Sequence, residues 1–234
     1  MLKFSNILSL LTLVMWPILL DAQTPITDQN IQTAVTECVN DEAAATAAYG
    51  HISSWNTSAV TDMSELFKNA ASFNDDISNW DVGSVTDMSW MFGNAAAFNQ
   101  DISNWDVSNV SNMAFMFLGA AAFNQDIGNW NVSNVTHMTG MFYRASAFNK
   151  NIGEWVMNSV VDVRQMFHSA EAFNQDIGGW DMSSVTTSAQ MFHSAHVFNQ
   201  DLGNWDVSSV TDMSSMFFAA YAFDGDISDW DVGS

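Results

Sequence analysis

The sequence predicts an α/β repeat solenoid, a short parallel strand plus a short helix in every 25-residue turn. Three observations lead there. Trp stands at 55, 80, 105, 130, 155, 180, 205 and 230, 25 residues apart each time, and two Phe columns (67 to 217 and 73 to 223) keep the same period. A fixed period of this length marks an array of stacked units, none of which buries its apolar face alone. Within a unit the pattern changes period. Around Trp105, Asn104-Trp-Asp-Val107 alternates polar and apolar, as a half-buried strand does. Val85, Met88, Met91, Phe92 and Ala95 then fall at i, i+3, i+6, i+7 and i+10, the expected face of a helix capped by Thr86 and Asp87. Strands joined by helices favour a parallel sheet. The wider helix side is expected to curve the array, with the sheet concave.

The elements follow in chain order. Residues 1–22 have one early charge, Lys3, an apolar run from Ile7 to Leu20, and a small residue, Ala22. That is the plan of a secretory signal peptide, and the run is short of the roughly 20 residues of a membrane span. Residues 23–50 lie outside the repeat and read as a helical N-terminal cap. Thr27-Asp28 is expected to cap a helix through Ile31, Ala34, Val35 and Cys38, with a second short helix from Asp41 to Tyr49. Residues 51–234 hold seven full 25-residue repeats and a partial eighth, which stops after a strand with no cap, so end-to-end self-association is expected to be open to it.

The frame IxxWxVxxV followed by TDMSxMFxxAxxFNQDI, seen almost whole in Asp76-Ile-Ser-Asn-Trp-Asp-Val-Gly-Ser-Val-Thr-Asp-Met-Ser-Trp-Met-Phe92, resembles BspA-like leucine-rich-repeat surface proteins. It is closer still to the 25-residue repeat first described in Mycoplasma surface proteins of unknown function. The resemblance covers residues 51–234. It implies a right-handed, leucine-rich-repeat-like array on an exported or surface protein, in a family linked to adhesion and host or matrix protein binding whose members mostly have no assigned activity; the acidic face or the irregular stretch is expected to contact a protein or glycan. It carries over no catalytic residue.

Composition narrows the partners. The 26 Asp and Glu against 5 Lys and Arg give a net charge of −21, which excludes nucleic acid as a partner, since phosphate binding needs basic clusters. Nothing after residue 22 is apolar for long enough to insert in a membrane. A single cysteine, Cys38, excludes a disulfide framework and sits on an apolar stripe. No GxSxG, HExxH or P-loop motif occurs, so the chain is expected to be non-catalytic. The remote alternative is an extracellular hydrolase using groove carboxylates.

The candidate ligand residues are of two kinds. Asp81, Asp106, Asp181 and Asp206 follow the Trp column and face outward. Arg144, Lys150, Glu154, Val156 and Arg164 belong to the most informative irregular stretch, where three of the five basic residues cluster. Breaks in a repeat are where an array differentiates a binding patch. A second acidic column, Asp76, Asp101, Asp126, Asp176, Asp201 and Asp226, offers oxygen ligands to calcium, although solvated turn carboxylates are the favoured explanation. His168 and His193 share a column with such varied neighbours that unliganded histidines are expected rather than a zinc site. Glycosylation sequons occur at Asn56, Asn109, Asn131 and Asn134.

Overall fold

The computed structural model describes residues 23–232; the expected signal peptide lies outside the described residues. Two helices precede the repeats: α1 (Ile31–Asn40) and α2 (Glu42–Tyr49), followed by one 3-10 turn at Ile52–Ser54. α1 turns Ile31, Ala34, Val35 and Cys38 into the core shared with the repeats. Its first turn is not capped by Thr27-Asp28. The flanking residue is Asn30, whose side chain makes no capping bond. Asp28 reaches across instead, accepting from the N–H and hydroxyl of Thr61 (2.7 and 2.8 Å) and the N–H of Asp62. In later units the N–H of Thr86 donates to the Thr61 carbonyl and that of Ser111 to Thr86. The Asp28 carboxylate therefore stands where a preceding turn would have placed a carbonyl. Asp41 does cap α2, accepting from the N–H of Ala44.

The α/β solenoid is not what the repeats form. Among the described residues there is no strand and no helix in residues 55–232. Each unit is a chain of tight turns, and units are joined by isolated parallel bridges, Asp62 to Asp87, Asp87 to Asn112 and onward to Asp212. The sheet, the helical side and the concave face expected from their unequal widths fall with that correction.

The reason lies in the apolar spacing. Val85, Met88 and Met91, then Phe92, Ala95 and Phe98, advance in steps of three, one residue short of the i→i+4 bond of an α-helix. The backbone accordingly closes i→i+3 bonds: Met91 to Met88, Gly93 to Trp90, Ala95 to Phe92 and Phe98 to Ala95. The intervening N–H groups leave the unit altogether. Met88, Trp90, Phe92 and Asn94 donate to the carbonyls of Asn112, Ala114, Met116 and Leu118 in the next turn. Every second donor thus points along the stack and the rest fold back, so buried backbone groups are satisfied without helix or sheet. Two left-handed residues per unit make the reversal. One column runs Glu65, Trp90, Phe115, Gly140, Gln165, Gln190, Ser215 and the other Asn69, Asn94, Gly119, Arg144, Ser169, Ser194, Ala219, all with φ between 55° and 65°. A left-handed residue ends any right-handed helix.

The core is the sum of the repeated columns. Phe92, Phe98, Phe117 and Phe123 are fully buried, and so are their equivalents through Phe198. Rings stack both within a unit, as Phe92 on Phe98 at 3.9 Å, and between units, as Phe92 on Phe117 at 5.6 Å. Such offset aromatic stacks add to the area they bury. From Trp80 to Trp230 each Trp of the 25-residue column also donates its indole N–H to a carbonyl of the preceding turn, as Trp105 to Ile77 and Trp130 to Ile102. A third ladder is polar: the side-chain oxygen of Asn74 accepts from the N–H of Asn99, Asn99 from Asn124, and so on to Asn199 and Asp224. Burial ends at the last turn, where Phe218 and Tyr221 are 64% and 83% exposed.

Candidate functional site

The outward carboxylates are turn residues. Asp81, Asp106, Asp181 and Asp206 each accept, through Oδ1, the N–H two residues on, at Gly83, Ser108, Ser183 and Ser208. The calcium candidates do the same. Asp76, Asp101, Asp126, Asp176, Asp201 and Asp226 accept from Ser78, Ser103, Gly128, Gly178, Gly203 and Ser228. This is the local Asx turn, in which a short carboxylate closes a bend of its own backbone. The serine hydroxyl and then its N–H hold Asp76, Asp106, Asp181 and Asp206 below the usual carboxylate range. At Asp101 and Asp226 the N–H is the stronger cause and the hydroxyl the second. Among the described residues no three His, Cys, Asp or Glu come together as a group that could hold a metal ion.

The five irregular residues fall in five different columns. Arg144 is exposed, in the left-handed column, with its guanidinium 5.3 Å from the Tyr143 ring. Lys150 stands where Gln100 and Gln125 donate to the Asn of the preceding turn. Glu154 and Val156 are exposed on either side of buried Trp155.

Arg164 alone of the five lines a groove, a cleft of about 560 Å³. The groove runs along the bridge columns from Ala114 and Phe115 past His137, Thr139, Asp162 and Gln165 to Ala189, Gln190 and Asp212. Arg164 grips Asp162 in a fork, Nη2 to Oδ2 at 2.6 Å and Nε to both carboxylate oxygens at 3.1 Å. Asp162 is buried, and burial raises its pKa. The Arg164 side chain, its backbone N–H and the Thr139 hydroxyl outweigh this and leave the carboxyl below its usual range. The adjoining amides of Gln165 and Gln190 bond each other at 2.8 Å. At the other end the Trp90 and Phe115 rings stack at 4.7 Å, and Lys68 lies 4.4 Å over Trp90. A Cβ at Gly140 would overlap the Phe115 ring, so glycine is what lets that ring lie down beside the groove.

Sequence reasoning singled out Arg164 but not Asp162, Phe115, Gly140, Gln165 or Gln190. A signal existed: Glu65, Trp90, Phe115, Gly140, Gln165, Gln190 and Ser215 share one column of widely varying residue type, while the apolar columns around it repeat. The histidines form a ring stack with no metal geometry, Tyr143 on His168 at 4.4 Å and His168 on His193 at 4.3 Å. Burial, then His193 and Arg144, push His168 down to about 4. Burial, then Asp75 and Glu42, push the Cys38 thiol up to about 11, away from a reactive thiolate. All four sequon asparagines are exposed. Asn109 and Asn134 spend their amide nitrogen on carbonyls of the preceding turn, Gly83 and Ser108, whereas the bonds of Asn56 and Asn131 run through Oδ1 to Ser58 and Ser133.

Stacked 25-residue turns, joined turn to turn by the same bridges and ring columns, define a repeat protein. The family model described as "Mycoplasma protein of unknown function, DUF285" matches residues 33–155 and 137–234. The chain belongs to that family. No curated protein and no solved structure matches it. Among the described residues no helix is long and apolar enough to cross a membrane.

Proposed function

We propose that the chain is a non-catalytic recognition protein of the cell exterior, secreted or surface-bound, that contacts an extracellular protein or glycan through the side of its stack. The observation that carries the reading is the groove. It is a cleft along the repeats that mixes aromatic, amide and charged groups and buries a charged residue, as binding sites do. The motif resemblance to BspA-like surface proteins and the leader-like residues 1–22 support the same reading. The test is capture from extracellular-matrix extract, bound proteins identified by mass spectrometry, with the wild type and a variant whose residues 137–165 carry those of 87–115. Capture is expected to disappear in the variant; unchanged capture sinks the proposal.

A second reading, a structural element that associates with itself, rests on the last turn. Phe218, Tyr221 and Val232 are exposed there, while the first turn is covered by α1 and Asp28. Such association would run through these exposed apolar side chains. Sedimentation velocity at several concentrations decides it: a dimer that stops at two copies favours this reading, and a monomer throughout removes it.

A further inference from the structure

We propose that the groove is a saccharide site that takes an extended, uncharged oligosaccharide, with one sugar ring against Phe115 and hydroxyls on the Arg164–Asp162 fork and the Gln165–Gln190 amides. This rests on the recognition reading above and names its ligand class.

Three features of the groove argue for sugar. Phe115 is half-buried at the groove end, one side held by Trp90, its ring lying where a side chain at Gly140 would stand. A rigid aromatic surface at the edge of a polar cleft suits a ligand with an apolar C–H face and a polar rim, which describes a pyranose. The polar wall is made of planar groups that donate and accept side by side. The Arg164 guanidinium is fixed by two carboxylate oxygens, and the two glutamine amides are fixed by each other. Groups held this way lose little freedom when they meet vicinal hydroxyls. Finally, the groove spans five successive turns, from Phe115 to Asp212. Neighbouring bridged backbones lie about 4.8 Å apart, close to the length of one sugar ring in an extended chain.

Charge selects the uncharged ligand. Arg164 is matched by Asp162 and faces Asp212 as well, so no unpaired positive charge is left in the groove to draw an anion. The chain as a whole carries −21, which repels sulfated and sialylated glycans at a distance.

The test uses residues the columns already contain, so that each variant keeps its turn. Phe115→Ser copies Ser215, Arg164→Ser copies the Asp87–Ser89 arrangement, and Glu171→Ala, an exposed site outside the groove, copies Ala71. Full-length wild type and variants, matched by thermal melting, are applied to an array of neutral hexose and N-acetylhexosamine oligosaccharides, sulfated and sialylated glycans, and enzymatically deglycosylated matrix proteins. The wild type is expected to bind neutral oligosaccharides. Phe115→Ser and Arg164→Ser should weaken that binding tenfold or more, and Glu171→Ala should leave it within twofold. Preference for charged glycans, or neutral binding indifferent to both groove variants, overturns the proposal. Binding only to deglycosylated proteins, lost in Arg164→Ser, overturns the saccharide and leaves the recognition reading standing. Binding to nothing on the array overturns both.

Discussion

At the scale of single residues the repeat spends its polar side chains on its own backbone. Asp at three places in the unit closes Asx turns, as Asp76, Asp81 and Asp87 do for Ser78, Gly83 and Ser89, and Asn74 hands an oxygen to the next turn. The acidic composition is thus largely a consequence of how each bend is made. His168 is the residue whose ionisation departs furthest from habit at mild pH. It is stacked between Tyr143 and His193 and stays neutral down to about 4. Its folded pKa lies below its unfolded value near 6.5, so between those limits the unfolded chain binds the extra proton. Stability from this site is therefore complete above pH 6.5 and is lost as pH falls toward 4. His168→Leu, which copies Leu118, is expected to flatten that part of the curve; urea titrations of both proteins from pH 7 to pH 4 measure it. Equal slopes would show that the stacked imidazole is not the titrating group.

At the scale of the element, the unit is decided by two left-handed residues and a step of three. Non-glycine residues occupy most of these positions, and each pays a conformational cost of about 1–2 kcal/mol. The cost is tolerated because, from Glu65 to Ser194, the N–H of each of these residues bonds the next turn, as Trp90 to Ala114 and Asn94 to Leu118. Arg144 is exposed, at φ 56°, and its N–H bond to the His168 carbonyl does not need its side chain. Arg144→Gly is expected to raise stability by about 0.5–1 kcal/mol, the relief of strain less the extra entropy of glycine. A fall in melting temperature would mean that the Tyr143 contact outweighs the strain. The local pattern of Val85, Met88, Met91 and Phe92 was legible as apolar and inward, and all four are buried. What it did not reveal was the hydrogen-bond partner 24 residues away that makes a helix unnecessary.

At the scale of the molecule the stack is held by nearest neighbours, so it is quasi-one-dimensional. Deleting residues 101–125 removes one whole turn and keeps every column in register, because Gln100 then precedes Asp126 as it had preceded Asp101. The shortened chain is expected to fold, with a lower melting temperature and an unchanged near-ultraviolet signal per Trp. Deleting only 101–112 breaks the columns at that turn and is expected to split the melt in two, since the turns on either side keep only their own neighbours. A cooperative melt for the second variant would contradict nearest-neighbour stacking. The N-terminal residues matter at this scale too. Asp28, which reads as a helix cap, closes the first open turn through Thr61 and Asp62.

The sequence by itself determined the period, the inward columns of Trp, Phe and Met, the two N-terminal helices and the cluster of basic residues between Arg144 and Arg164. Those are properties of spacing and residue type, and they survive any choice of backbone. Tertiary structure alone decided that the units are turns rather than strand and helix, that Asp28 caps the stack, and that Arg164 meets Asp162, Gln165 and Phe115 across several turns while Arg144 and Lys150 stay apart from them. The reason is physical. A backbone chooses its conformation by where its N–H and C=O groups find partners, and here every second partner lies in the adjacent turn, beyond the reach of any local pattern.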